Sequence, residues 1–173
     1  MKTILGSLTL LLAFGLSAAA QHQPASQPSQ QAQHHVYLQQ EREAIEKAQG
    51  FDMALVADRN GYPGPRHILD LAAHLDLSPK QVSNVEALFS SMQQDALAVG
   101  RKLLDNEAAL GKLFAAGAVD SEAARRLVQE SAALRADLRW VHLSAHLEAY
   151  KLLTPEQRAR YHDLRHGTGE HTH

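Results

Sequence analysis

The stretch Leu77-Ser78-Pro79-Lys80-Gln81 decides the fold, because it recurs later in the chain as Leu153-Thr154-Pro155-Glu156-Gln157. In each copy the hydroxyl residue can cap the free N–H groups at a helix start. Pro suits the first helical position, where a backbone N–H would have no intrahelical partner. The Gln that follows three residues after the cap can bond the N–H of the capping residue and complete a capping box. The two copies therefore predict two helix starts, at Pro79 and Pro155.

Apolar residues between the two motifs follow the alternating three- and four-residue spacing of a helix packed along one seam. The first helix, predicted over residues 79–116, has the seam Val82, Val85, Phe89, Met92, Ala96, Val99, Leu103, Asn106, Leu110 and Leu113. After Gly117 the spacing resumes in a returning helix with Ala124, Leu127, Ser131, Leu134, Leu138, Val141, Ala145, Glu148 and Leu152. The pattern predicts a long antiparallel helical hairpin. Because a hairpin has one seam but two sides, we expect a second copy to cover the rest and form a homodimer.

The composition of the chain and the positions of its Gly and Pro residues favour an all-α fold with short helices flanking the hairpin. Aromatic residues make up 5% of the chain, and Ala and Leu are abundant, which favours helix over sheet. Gly50 and the Gly- and Pro-rich turn at residues 60–65 divide the region before the hairpin. One domain is predicted over residues 35–165, with short helices at residues 35–49, 51–56, 66–75 and 155–165.

The two ends of the chain differ from this domain. Lys2 precedes an apolar run, and small residues follow up to Ala20, which predicts a signal peptide over residues 1–20 with cleavage after Ala20. The run is too short to span a membrane, so we expect export without a stable membrane anchor. Residues 21–34 are rich in Gln, Pro and Ser and predict a disordered leader. Residues 166–173 form a polar tail that contains histidines.

Charge and missing motifs exclude several classes of protein. The 17 Lys and Arg residues are outnumbered by 19 Asp and Glu residues, so the basic excess expected of a nucleic-acid-binding protein is absent. The sequence has no Cys and therefore no disulfide. It also has no nucleophile elbow, no Gly-rich phosphate loop and no HExxH motif, so we expect no enzymatic activity and no required cofactor.

The repeated motif and the hairpin resemble the Spy/CpxP and heavy-metal-resistance superfamily of small periplasmic proteins. The signature of that group is a Leu-Thr-Pro-x-Gln motif, often present twice, as it is here at residues 77–81 and 153–157. The closing segment at residues 154–161 is also very similar to the C-terminal motif of the group. The resemblance extends over roughly residues 61–165 and implies a periplasmic location.

This resemblance implies two branches of function. Proteins similar to Spy and CpxP are curved, all-helical dimers that act as ATP-independent chaperones or as envelope-stress accessories. Proteins similar to the nickel and cobalt sensor CnrX and to the zinc-responsive ZraP carry histidine-based metal sites on the same hairpin. Because both branches share one fold, the fold cannot choose between them.

Histidines are the candidate ligands for the second branch. His142 and His146 lie four residues apart on the returning helix, so they share a face and can chelate one ion. His67 and His74 lie seven residues apart in the predicted helix before the first motif, and we expect them to share a face as well. Both pairs fall near the open end of the hairpin, so the sequence predicts that they converge. Imidazole ligands favour zinc, nickel or cobalt.

The first branch requires an exposed surface of mixed apolar and charged character for unfolded clients or for an envelope-stress signalling protein. Residues beside the seam supply apolar candidates: Leu97, Leu104, Phe114, Val128 and Trp140. The same residues are also candidates for the dimer interface. From the sequence we therefore expect a chaperone or stress accessory that acts by binding, and we keep a periplasmic metal sensor or buffer as the alternative.

Overall fold

A computed structural model describes residues 29–167, which contain six α-helices and no strand. The helices are α1 (Gln30–Glu46), α2 (Leu55–Arg59), α3 (Pro65–Asp70), α4 (Pro79–Ala115), α5 (Ser121–Leu152) and α6 (Pro155–His166). The all-α prediction is confirmed. The predicted signal peptide lies outside the described residues, as do most of the predicted leader and most of the tail. None of the helices in residues 29–167 has the length and apolar character that a membrane span requires.

Helices α4 and α5 form the predicted antiparallel hairpin. Near the closed end, Asn106 Nδ2 donates to Leu127 O at 2.7 Å and to Ser131 Oγ at 2.9 Å. At the open end, Gln81 Nε2 donates to Leu152 O at 2.9 Å. Asn106 and Ser131, two polar positions of the seam, thus bond each other. They fix the register, because a slip of one turn would leave the Asn106 amide without these partners.

The seam of the hairpin supplies most of the core. Ala96, Leu103 and Leu138 are fully or almost fully buried in one cluster with Ile45 of α1. The returning seam departs from the prediction at Glu148, which is exposed and accepts from Lys151 Nζ at 2.6 Å. The fully buried Ala149 takes its place. Two physical reasons explain the exchange. A strict heptad pattern drifts around a straight helix, because an α-helix has 3.6 residues per turn. Burial of Glu148 would also be costly, because its carboxylate would lose water.

Helix α1 packs across α4 and covers one side of the hairpin. It begins at Gln30, earlier than the predicted residue 35, because Ser29 caps it by accepting from Ala32 N at 3.2 Å. The approach of the two helices is close at Gly100, where a Cβ would lie 2.7 Å from Ile45 Cγ2 and 3.3 Å from Ile45 O. Glycine is therefore needed at this crossing for the helices to touch.

The segment before the first motif is more broken than predicted. The expected helix over residues 66–75 ends at Asp70, and hydrogen-bonded turns follow up to Asp76, whose φ is 50°. The turn at residues 71–76 brings fully buried Leu75 into a second core cluster with Ile68 and Val85. In this way the turn reverses the chain so that α4 can begin at Pro79.

Candidate functional site

The two repeated motifs meet at the open end of the hairpin. Gln81 Nε2 donates to Gln157 Oε1 at 2.7 Å, and Gln157 Nε2 donates to Leu75 O at 3.2 Å. Each Gln also accepts from its own capping residue, at 3.0 Å from Ser78 N and at 2.9 Å from Thr154 N. Both predicted capping boxes are confirmed. We call this arrangement the motif joint, because each Gln caps its own helix and also ties it to the other motif.

An aromatic residue of α6 completes the motif joint. Tyr161 is fully buried in the second core cluster beside Leu153, and its hydroxyl donates to Asp58 Oδ1 at 3.0 Å. Arg165 Nη2 donates to the other oxygen of the same carboxylate at 3.2 Å. Burial acts to raise the pKa of Asp58, but the Tyr161 and Arg165 hydrogen bonds outweigh it and lower that pKa. Burial, followed by the Asp58 charge, raises the pKa of Tyr161 far above its ordinary value.

A cavity of about 510 Å³ lies between the α1–α2 connection, α3 and the hairpin. Three of the four predicted histidines line it: His67, His142 and His146. Its apolar walls come from Phe51, Leu55, Phe89 and Met92. The predicted convergence of histidines at the open end of the hairpin is therefore confirmed for these three. We refer to this space as the histidine cavity.

His146 is held in one orientation by the loop before α3. Its Nδ1 lies 2.7 Å from Tyr62 O, and because a carbonyl only accepts, Nδ1 carries the proton that is donated. In the neutral imidazole this leaves the lone pair on Nε2. That nitrogen lies against Gly64, where a Cβ would come within 2.9 Å of it. Gly64 therefore leaves the room that the His146 ring occupies.

His142 is the most buried histidine of the cavity, with 3% of its surface exposed. It packs against Gly50, where a Cβ would lie 3.3 Å from Nδ1. No buried side-chain nitrogen within residues 29–167 lacks a hydrogen-bond partner. Burial, and then the charge of His146, lower the pKa of His142. The imidazole is therefore neutral at neutral pH and available as a ligand or as a packing group.

The remaining predicted pair, His67 and His74, is separated in the structure. His67 lies on α3, half-buried, with Nδ1 at 3.6 Å from Asp58 Oδ1 and 3.5 Å from Tyr161 Oη. Burial, and then the positive charge of Arg165, lower the pKa of His67. His74 is exposed on the turn after α3 and does not line the cavity. The expectation that His67 and His74 share one helix face is wrong, because the helix ends at Asp70 between them.

The donor set of the cavity fits a metal ion only in part. The three imidazoles line one space, but no group of three or more His, Asp or Glu side chains within residues 29–167 is arranged to hold a metal ion. A structural zinc site has four protein ligands, and a catalytic one has three. The described residues therefore do not form a complete metal site, and metal binding by His67, His74, His142 and His146 stays a prediction.

We expect the protein to lose stability when the pH falls from about 7.5 to about 5.5. His67 and His142 have lowered pKa values in the folded state, so below about pH 6.5 the unfolded chain binds more protons than the folded one. The contribution of these two histidines to the free energy of unfolding is complete above about pH 6.5 and is lost as the pH falls below it. Urea unfolding midpoints across this range measure the effect.

The variant His142→Asn should show a flatter pH dependence, while His74→Asn, which changes an exposed histidine outside the cavity, should keep that of the wild type. A wild-type midpoint that stays constant or rises on acidification would contradict the expectation.

Sequence reasoning missed several residues that build this site. The Asp58 carboxylate, shared by Tyr161 and Arg165, has no motif that marks it, because its partners lie more than 100 positions away in the chain. The sequence marked Gly50 only as the end of a helix and Gly64 only as part of a turn, although their lack of a side chain makes room for His142 and His146. The only part of the sequence that pointed to this region was the Gly- and Pro-rich composition of residues 60–65.

Comparison with known proteins gives one match. A sequence model of the LTXXQ motif protein family matches residues 64–165. No curated protein and no solved structure matches the chain. The matched range contains the hairpin, the motif joint and all four predicted histidines, while α1 and α2 lie before it.

Proposed function

Because this chain belongs to the LTXXQ motif protein family, the family of Spy/CpxP-like periplasmic proteins, we propose that it is an exported periplasmic chaperone or envelope-stress accessory. It acts by binding unfolded envelope proteins or a stress-signalling partner, without ATP and without catalysis. The observation that carries this proposal is an exposed apolar surface on α1 and on the α1–α2 segment.

We use the name apolar patch for the six side chains of this region that are between 41% and 54% exposed. They are Val36, Tyr37, Leu38, Phe51, Leu55 and Val56. The rings of Tyr37 and Phe51 touch edge to face with centroids 5.5 Å apart, which joins the α1 and loop portions. Phe51 and Leu55 also line the histidine cavity, so the patch continues into its wall. Exposed apolar surface of this kind marks a binding site for other proteins.

The charges around the apolar patch suit weak and reversible binding. Arg42 bonds Glu46 at 3.0 Å, and Lys47 bonds Glu43 at 3.4 Å, all on exposed positions of α1 or its end. Since these charges neutralise each other, they impose no preference for the charge of a client. Side chains from unfolded chains of varied sequence can then dock on the apolar groups between them.

The test is the suppression of aggregation by metal-free protein at a one-to-one ratio with an unfolding client. We expect the wild type to slow aggregation and the variant Tyr37→Ser/Phe51→Ser to lose most of that effect. The matched control is Phe114→Ser, which removes a 60%-exposed aromatic side chain at the far end of α4. A wild type that does not slow aggregation, or a double variant as active as the wild type, would remove the proposal.

Metal sensing or buffering is the second candidate function. The observation in its favour is that His67, His142 and His146 line one cavity. Because no third ligand is arranged beside any pair within residues 29–167, water would have to complete the coordination, and we expect weak binding.

Calorimetric titration with zinc, nickel and cobalt tests the metal candidate. If the site exists, His142→Ala/His146→Ala abolishes the binding seen with wild type, whereas His74→Ala retains it. Equal binding by the double variant would show that the metal binds elsewhere in the chain.

A further inference from the structure

The histidine cavity adjoins the apolar patch. Phe51 is 44% exposed and Leu55 is 41% exposed, and both residues belong to the patch as well as to the cavity wall. A client that rests on the patch therefore lies beside the cavity. The volume of about 510 Å³ falls within the range of about 300–1,000 Å³ that is usual for sites that bury a small organic group. One large side chain of a client fits into this space.

The apolar wall of the cavity suits an aromatic ring. Besides Phe51, it contains Phe89 and Met92, which both lie on α4. Aromatic rings pack favourably against other rings and against the sulfur of methionine. An aromatic side chain is therefore the apolar group that this wall matches best.

His142 adds a polar requirement to the same space. It is only 3% exposed, and within residues 29–167 neither of its ring nitrogens has a hydrogen-bond partner. Since no fully enclosed side-chain nitrogen in that range lacks a partner, the His142 nitrogens reach the open space of the cavity. A purely apolar occupant would separate them from water and leave them unbonded, which costs free energy. A hydroxyl group avoids this cost, because it can donate or accept and so suits either tautomer of the imidazole.

The charged residues of the cavity wall favour a neutral occupant. Each of them already has an oppositely charged partner within the chain. The pairs are Asp58 with Arg165 at 3.2 Å, Lys47 with Glu43 at 3.4 Å, and Arg66 with Asp70 at 3.0 Å. Burial lowers the pKa values of His67 and His142, so these imidazoles add no charge at neutral pH. A charged ligand would have to compete for a partner in these pairs, whereas a neutral hydroxyl group needs none.

We propose that the histidine cavity receives a tyrosine side chain of a bound client, with its ring against Phe51, Phe89 and Met92 and its hydroxyl group on His142. Tyrosine combines an aromatic ring with a neutral hydroxyl group. Phenylalanine lacks the hydroxyl, serine and threonine lack the ring, and the indole N–H of tryptophan only donates. The inference rests on the proposed function, because it names the side chain through which a client on the apolar patch is recognised.

Two neutral, unstructured peptides that differ by one hydroxyl group test this preference. Each peptide contains Gly, Ser and Leu around one central residue, which is Tyr in the first peptide and Phe in the second. In metal-free buffer we expect the wild type to bind the Tyr peptide about fivefold more tightly, which is the effect of one net hydrogen bond. Equal affinities, or no measurable binding of the Tyr peptide, overturn the proposal.

The variant His142→Phe tests whether this histidine bonds the hydroxyl group. It keeps a ring in the cavity wall and removes both ring nitrogens, so it should bind the two peptides equally. The matched control His74→Phe changes an exposed histidine outside the cavity and should keep the preference of the wild type. A His142→Phe variant with wild-type circular dichroism that still prefers the Tyr peptide overturns the proposal.

Methyl NMR of the wild type locates the bound ring without any substitution. Met92 lines the cavity, whereas Met53 does not line it and packs against the core cluster of Ile45. We expect the ring current of the Tyr peptide to shift the Met92 methyl signal more than the Met53 signal. A peptide that binds without this difference overturns the proposal. The proposed function is tested separately by client aggregation, so a chain that slows aggregation without the Met92 shift would lose only the tyrosine site.

Discussion

Replacing Tyr161 by Ala is expected to lower the free energy of unfolding by about 3–5 kcal/mol, the usual cost of removing a buried aromatic side chain. Tyr161 is fully buried among Ile68, Leu75 and Leu153, and α6 has no other fully buried side chain within the described residues. The cavity left behind would lie where α6 meets the start of α4. Urea denaturation followed by circular dichroism measures the loss.

Tyr161→Phe is the matched control, because it keeps the ring and removes only the hydroxyl that donates to Asp58. We expect a loss of about 1–2 kcal/mol, since Asp58 retains the bond from Arg165. If Tyr161→Ala and Tyr161→Phe lower the free energy of unfolding by the same amount, the packing of the ring does not stabilise α6 and the expectation is wrong.

The second large effect is expected at the motif joint. Gln81→Ala removes the bond from Ser78 N, which is the side-chain half of the α4 capping box, and the bonds to Leu152 O and Gln157 Oε1, and it should cost about 2–3 kcal/mol. Gln157→Ala removes the equivalent set on α6 and should cost a similar amount. Because the two amides bond each other, the double variant should cost less than the two single losses combined, by about 1 kcal/mol.

Lys80→Ala tests whether this loss is specific to Gln81. Lys80 is exposed in the same motif, so its replacement should change stability by less than about 0.5 kcal/mol. Strictly additive losses at Gln81 and Gln157 would show that the two motifs act as separate helix caps without a joint between them.

The motif joint and the histidine cavity belong to the same end of the molecule. Tyr161 and Arg165 on α6 hold Asp58, and Asp58 lines the cavity beside His67. A loss of packing at Tyr161 should therefore also loosen the cavity wall that α2 and α3 provide.

Local patterns in the sequence were sufficient for the hairpin and for the starts of α4 and α6. Ser78 and Thr154 cap their helices as the motif predicts, and the alternating spacing from Val82 onwards predicts the hairpin. Such features depend on neighbours within about one turn, so the chain reveals them directly. The ends of the helices were harder to predict. Helix α3 ends at Asp70, because a turn that buries Leu75 replaces the rest of the expected helix.

The sequence by itself determined the class of fold, the two helix starts and the common face of His142 and His146. Only the tertiary structure decided that Gln81 bonds Gln157, that His67 joins the cavity while His74 does not, and that Asp58 meets Tyr161. The physical reason is distance along the chain. Capping and helix periodicity are local, whereas these contacts join residues about 70 to 110 positions apart and depend on how whole helices pack.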